Sequence, residues 1–187
     1  GSMQVRGGDF PLGSDRLAAL VLLGGVERSG VVQAFMRRAT EARLHSLHET
    51  RDYAEPAGGD VGMEWEPELL VECTDEVLAL IEEVGRDSLG VNLDIGHAAV
   101  YGEEPAESVR RCAGHITGIH LEDIAGGIRG KHYHLVPGKG DLDFERVFEA
   151  LEEVGYDGFA TLELYTYPDE PDRAAREAYE ALERYIT

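Results

Sequence analysis

Apolar residues in this chain fall into short continuous blocks separated by longer amphipathic stretches. Blocks at 17–23, 61–65, 89–93, 116–121 and 159–164 have strand length, are rich in Val, Ile and Leu, and are bounded by Gly or acidic residues. That is the signature of strands buried in a parallel sheet. Stretches at 30–55, 74–84, 105–113, 144–154 and 169–186 carry apolar residues at helical spacing. In the first of these they are Val31, Val32, Phe35, Met36, Ala39, Leu44 and Leu47, and Pro56 stops the run. Thr74 is expected to cap the second helix, with Asp75 and Glu76 in its first turn, where the helix dipole favours acid. Pro105 opens the third, and Pro171 lies near the first turn of the last. Strand then helix, five times over, predicts a parallel α/β sheet. Residues 4–16 are Gly-rich and polar and read as a loop. Gly1, Ser2 and Met3 look like a cloning remnant and are set aside. A 1–16 lead therefore precedes a single domain at 17–187.

Length and charge narrow the picture. The 187 residues suffice for one domain with a real core, and 43% hydrophobic content is ordinary for a globular protein. No apolar run is long enough to span a bilayer, and no signal peptide is evident. The two cysteines, Cys73 and Cys112, stand in unrelated contexts, so a reduced, cytoplasmic protein is expected. The formal charge is −20. Such a surface repels phosphate backbones and argues against nucleic acid as a partner. Lys131 and Lys139 are the only lysines. High acid with so little lysine fits a salt-adapted (halophilic) protein or a GC-rich genome, and a solvated acidic surface without a partner is the default reading.

The chemistry collects between residues 116 and 144. An apolar strand delivers His120, Glu122 and Asp123 follow at once, and a Gly-rich loop then carries His132 and His134 into the turn Pro137-Gly138-Lys139-Gly140. A single buried His is usually a satisfied core residue, but three in so short a span point to metal or substrate chemistry. Glu64, Asp94, His120 and Glu163 each lie at or near the end of a different strand. In a parallel barrel those ends open on one face, where active sites sit. Three carboxylates and one imidazole suit one divalent ion: Mn, Co, Zn or Mg. Glu163, inside an apolar strand, needs a partner. Asp94 could alternatively cap the turn that follows it, and Glu66 and Glu68 compete with Glu64 for its assignment. His45, His48 and His115 read as surface or structural residues. The backbone N–H groups of the 138–140 turn could offer an anion site, or be simply a turn.

The runs NLDIGHA, GIHLEDI, HYHLVPGKGDLDF and GYDGFATLELY together resemble the xylose-isomerase-like TIM-barrel superfamily, well over 60–187 and loosely over 17–60. That superfamily holds sugar phosphate isomerases and epimerases, and also the endonuclease IV type of apurinic endonuclease. The resemblance implies a barrel in which Glu64 and Glu163 ligate a metal and shuttle a proton, with Asp94 and His120 as the other ligands. It implies a substrate or second-metal role for His97. It matches His132 and His134 to a loop position that reads Asp-x-His in endonuclease IV relatives. Here the Asp is a His, and the histidines that upstream strands supply to a three-zinc cluster are absent, which favours one metal or two and counts against the nuclease. Arg129 and Lys139 become candidates for a phosphate or carboxylate. A full barrel has eight units and about 250 residues. The five strands here resemble the fourth to the eighth, so a partial barrel is expected, with a homo-oligomer, another partner or the N-terminal segment covering its open side. The implied function is a metal-dependent isomerase or epimerase of a sugar or sugar phosphate, working through an enediolate. The alternatives are a metal-dependent phosphoesterase or hydrolase, and a non-catalytic barrel that binds a metabolite or a partner.

Overall fold

A computed structural model describes residues 19–20, 61–85, 87–126 and 132–186. The expected helix at 30–55, with His45 and His48, lies outside these residues, as does Arg129. The described elements are β1 (Ala19–Leu20), β2 (Val61–Met63), α1 (Thr74–Val84), β3 (Leu89–Asp94), α2 (Ile95–Tyr101), α3 (Pro105–Arg111), β4 (Ile116–Leu121), α4 (Phe144–Glu153), β5 (Ala160–Leu162) and α5 (Pro171–Ile186). All strand pairs are parallel, and the sheet order follows the chain: β1-β2-β3-β4-β5. A doubly wound sheet would reverse its order at a switch point. An order that never reverses keeps every crossover on one side, which is the winding of a barrel.

The strands alternate with period two. Val61, Met63, Leu89, Val91, Leu93, Ile119 and Leu121 are buried and pack against Val77, Ile81, Ala106, Val109, Val147, Ala150 and Leu151 of the helices. The residues between them, Gly62, Asn92, Asp94, Gly118 and His120, project from the other face. In α4 the buried Phe144, Val147, Ala150 and Leu151 form the apolar stripe expected of a helix lying on a sheet. Each large side chain so buried is worth about 1.5–3 kcal/mol.

Helix starts depart from expectation in one place. The N-cap of α1 is Cys73, which makes no side-chain cap. Thr74 is already helical, and its hydroxyl donates instead to Glu103 Oε2 at 2.6 Å, tying α1 to the turn before α3. The helix α2 was not apparent from the pattern. It starts because Asp94 Oδ1 accepts from His97 N at 2.7 Å.

A register shift in β3–β4 positions the site. Val91 pairs with Ile116, but Asn92 pairs with Gly118, leaving Thr117 over. This one-residue bulge sets Asp94 opposite His120. Without it the partner would be Ile119, and the imidazole would fall on the helix side of the sheet.

Candidate metal and substrate site

Glu64 follows β2, Asp94 ends β3, His120 lies near the end of β4, and Glu163 follows β5. Their side chains converge. His120 Nδ1 lies 3.5 Å from Glu64 Oε2, 3.8 Å from Asp94 Oδ2 and 3.3 Å from Glu163 Oε2. One ligand atom from each of the four falls within 4.8 Å of the others. Glu64 and Asp94 are buried, while Glu163 keeps 37% of its side chain exposed and faces the open end.

The charges are unbalanced in a telling way. Burial alone would depress the His120 pKa, but the carboxylates of Asp94, Glu163 and Glu64 outweigh it and push the imidazole up to about 12. Burial would raise Asp94, yet His97, His120 and His134 hold it well below the usual carboxylate range. Glu163 is likewise lowered, against its burial, by His120. Three carboxyl groups thus surround one imidazole. His120 Nδ1 and Asp94 Oδ2 are buried and make no hydrogen bond. Unpaired buried atoms are costly, and this donor set fits a divalent ion.

A second group adjoins the first. His97, His132 and His134 also bring a ring nitrogen each to within 4.8 Å of one another. His97 Nδ1 lies 2.8 Å from the Trp65 carbonyl, and His134 Nδ1 lies 3.0 Å from the Glu163 carbonyl. An Nδ1–H donated to a backbone carbonyl leaves Nε2 as a lone pair, the arrangement by which proteins orient ligating imidazoles. His134 Nε2 and His132 Nδ1 are buried without partners. Burial, then the neighbouring His97 and His134, bring His132 down to about 4, so it is neutral at pH 7. The two groups share their supports: Asp94 caps the helix that carries His97, and the Glu163 backbone holds His134.

Other expected residues have different employment. Lys139 forms an ion pair with Glu177 on the surface. The turn that contains it does bind an anion, but that anion is the protein's own Asp123. Gly138 N and Gly140 N both donate to Asp123 Oδ2 at 2.8 Å, while Ile124 N and Leu142 N donate to Oδ1 at 2.9 and 3.1 Å. Together with the paired backbone hydrogen bonds between Asp123 and Leu135, this clamps the loop carrying His132 and His134 onto β4. His115 is exposed.

Four residues at the site had no assigned role in the sequence. Glu122 is completely buried; its Oε1 accepts from Gly96 N at 2.6 Å. Burial, then the charge of Asp94, hold its pKa well above the ordinary value. Asp123 is the loop clamp. Asn92 donates to Glu64. Tyr165 sets its ring 4.5 Å from that of His134, and its hydroxyl donates to the His132 carbonyl at 3.2 Å. The adjacent pair Glu122-Asp123, directly after a strand-end His, was the one available signal for the first two.

A cavity of about 1040 Å³ opens at the opposite end of the strands, lined by Gly85, Leu89, Gly90, His115, Thr117 and Gly158 among others. It contains none of the convergent side chains, and in parallel barrels the chemistry sits at the carboxyl ends of the strands. Among the described residues, no helix is long and apolar enough to cross a membrane.

Comparison with known proteins agrees with the geometry. A family model described as a xylose isomerase-like TIM barrel matches residues 16–185. An inosose isomerase of Halalkalibacterium halodurans is 28% identical over 140 residues, 72% of this chain and 49% of that protein. The chain superposes on a D-tagatose 3-epimerase-like protein with a TM-score of 0.76 and 26% identity, covering 92% of this chain and 62% of the other. It superposes on the IolI protein with a binding zinc atom with a TM-score of 0.74 and 22% identity, covering 94% and 64%. A 42-residue stretch is 79% identical to the tubulin-like protein CetZ2 of Haloferax volcanii, covering 22% of this chain and 12% of that protein, too little to bear on the fold. The chain spans about half the length of the barrel relative it matches.

Proposed function

Because the chain belongs to the xylose isomerase-like TIM barrel family, we propose that it is a divalent-metal-dependent isomerase or epimerase of a sugar or a related cyclic polyol. The observation that carries this reading is the convergence of Glu64, Asp94 and Glu163 on His120 Nδ1 at 3.3–3.8 Å, with unpaired buried ligand atoms on Asp94 and His120. Those four residues would hold the ion. When bound, it supplies the positive charge that polarises a carbonyl and the hydroxyl beside it.

The protein's own groups divide the remaining work. Glu163, ionised and the most exposed of the quartet, is the base that a substrate carbon reaches. Glu64 is the partner that returns the proton to the neighbouring carbon or to the opposite face, through an enediolate. Asp94 is fully buried and tied to His97 N, so it holds rather than transfers. His97, His132 and His134 are neutral or backbone-tied donors and acceptors for substrate oxygens. Tyr165, at the rim, offers a ring face to a sugar. Lys139, one of the candidates for a substrate phosphate, is paired with Glu177 instead.

The three clustered imidazoles favour a second reading, a two-metal phosphoesterase, and stoichiometry separates the two. Elemental analysis of protein purified without chelator, then solvent-deuterium exchange into ketohexoses and inososes followed by NMR, tests both. One equivalent of ion, with exchange abolished in Glu163→Gln, supports the isomerase. Two equivalents, with phosphoester cleavage and no carbon-bound exchange, would replace it.

A further inference from the structure

We propose that Thr166 and Tyr167 are positioning residues: their hydroxyls strap the loop that carries His134, fix its imidazole beside Glu163, and so set how a substrate lies against the two. The inference deepens the reading of Glu163 as the base and His134 as a partner of substrate oxygens, and rests on it.

The supporting observation is where three consecutive hydroxyls go. Tyr165, Thr166 and Tyr167 follow β5 closely, and each reaches the main chain of the same loop. The Tyr165 hydroxyl donates to the His132 carbonyl at 3.2 Å, and Thr166 Oγ1 donates to the His134 carbonyl at 2.7 Å. The Tyr167 hydroxyl accepts from Val136 N at 3.2 Å. In an extended chain successive side chains point to opposite sides. Here Tyr167 N donates to the Leu164 carbonyl at 3.3 Å, which closes a tight turn and lets all three reach one side. The loop matches them with a period of two. Residues 132, 134 and 136 meet the hydroxyls, while Leu135 between them exchanges both backbone hydrogen bonds with Asp123. A row of hydroxyls thus takes the place of a neighbouring strand's backbone.

The strap is itself anchored. Tyr167, with Leu162 and Leu164, packs against Val136, Ala174 and Ala178 in a small second core. At the other end of the segment Glu163 N donates to the Leu121 carbonyl at 3.3 Å, which ties the base to β4. Residues 163–167 therefore present the Glu163 carboxylate and hold His134 at the same time. They hold it through its ring, with Nδ1 3.0 Å from the Glu163 carbonyl, through its own carbonyl on Thr166, and through the Val136 N–H on Tyr167. A carbonyl only accepts, so Nδ1 carries the proton, and the neutral ring is the Nδ1–H tautomer with a bare Nε2. That Nε2 is buried and makes no hydrogen bond within the protein. Loss of either hydroxyl frees the loop backbone, lets the ring leave the Glu163 carbonyl, and removes the reason for this tautomer.

The test compares the full chain with Thr166→Val, Thr166→Ser and Tyr167→Phe. Valine keeps the shape of threonine without the hydroxyl, serine keeps the hydroxyl, and phenylalanine removes only the acceptor for Val136 N. The ¹H–¹⁵N signals of the histidine rings in the metal-free protein distinguish Nδ1–H from Nε2–H. Mn²⁺ affinity is measured by calorimetry, and solvent-deuterium exchange is followed by NMR on whichever ketohexose or inosose the unaltered chain exchanges fastest. Wild-type His134 should show the Nδ1–H tautomer. Thr166→Val and Tyr167→Phe should admit the Nε2–H form at His134, leave the His120 signals in place, and slow exchange by about 10–100-fold, the scale of a misplaced binding group. Mn²⁺ affinity should stay within about threefold, because the quartet keeps its four ligands. Thr166→Ser should restore both tautomer and rate. An unchanged His134 tautomer in folded Thr166→Val would overturn the proposal, and so would a Thr166→Ser protein as impaired as Thr166→Val. A fall in Mn²⁺ affinity as large as the fall in rate would also overturn it, by placing the effect in the quartet. If Thr166→Val fails to fold, the same criteria applied to Tyr167→Phe decide. Should the unaltered chain exchange no sugar, the isomerase reading fails, while the ring tautomers still decide whether the strap fixes His134.

Discussion

Replacing Asp123 with asparagine changes one atom and almost no volume, yet it should be among the most damaging substitutions in the described fold. Asp123 is 1% exposed, and each carboxylate oxygen accepts two backbone N–H groups, Ile124 and Leu142 on Oδ1 and Gly138 and Gly140 on Oδ2. An amide has one oxygen. Whichever way it turns, its NH₂ faces two N–H donors that cannot move without breaking the loop. Two hydrogen bonds to a charged acceptor are lost, at about 1.5–3 kcal/mol each, or about 3–6 kcal/mol before relaxation. Water entry and loop adjustment should reduce this to about 2–4 kcal/mol, a large share of the 5–15 kcal/mol that typically holds a domain. Urea unfolding of the metal-free protein, followed by far-UV circular dichroism, should show a midpoint lowered by about 1–2 M at an unchanged slope. Native-state hydrogen exchange should speed up first at the Gly138, Gly140 and Leu142 amides. Gly140→Ala attacks the same clamp from the other side, because a Cβ would overlap Asp123 Oδ1 and lie 2.5 Å from the Ile124 carbonyl. A loss below about 1 kcal/mol in Asp123→Asn, with exchange at those amides unaltered, would refute the view that this carboxylate builds the loop.

Two further outcomes follow from the charges at the site. Glu122 has its pKa raised by burial, so the neutral Glu122→Gln, which keeps an acceptor for Gly96 N, should cost under about 1 kcal/mol, whereas Glu122→Ala leaves that N–H unpaired and should cost about 2–4. Because the folded pKa is raised, the stability Glu122 contributes is full below its ordinary value near 4.5 and is lost as pH rises above it; Glu122→Gln should flatten the fall in metal-free stability over that range, and an unchanged slope would contradict the assignment. His120 is held protonated, with a pKa pushed up to about 12, so ion binding must displace a proton. Apparent affinity should therefore rise from pH 6 to pH 9, and calorimetry in buffers of different ionisation enthalpy should report about one proton released per ion; none released would mean His120 is not a ligand.

The separation between what was legible and what was not runs along the chain distance of the interactions. The alternating blocks, the parallel sheet and the placing of Glu64, Asp94, His120 and Glu163 at strand ends could all be read locally. Each of those residues stands where an apolar run meets a turn, and a period of two or 3.6 is a property of a few neighbouring positions. The clustering of His132 and His134 was visible for the same reason. What the sequence could not supply is which polar atom meets which. Asp94 caps α2 with one oxygen and turns the other to His120. Asp123 takes up the Gly138–Gly140 turn, and Lys139 is drawn to Glu177, 38 residues away. Glu122 lies hidden against Gly96, 26 residues upstream, and Asn92 reaches Glu64 and His120, each 28 residues away. The meeting of Asp94 and Asn92 with His120 depends on one residue of slippage between β3 and β4. Strand composition tolerates either register; only the packed sheet, burying one face against the helices and gathering charge on the other, selects the register that sets Asp94 beside His120.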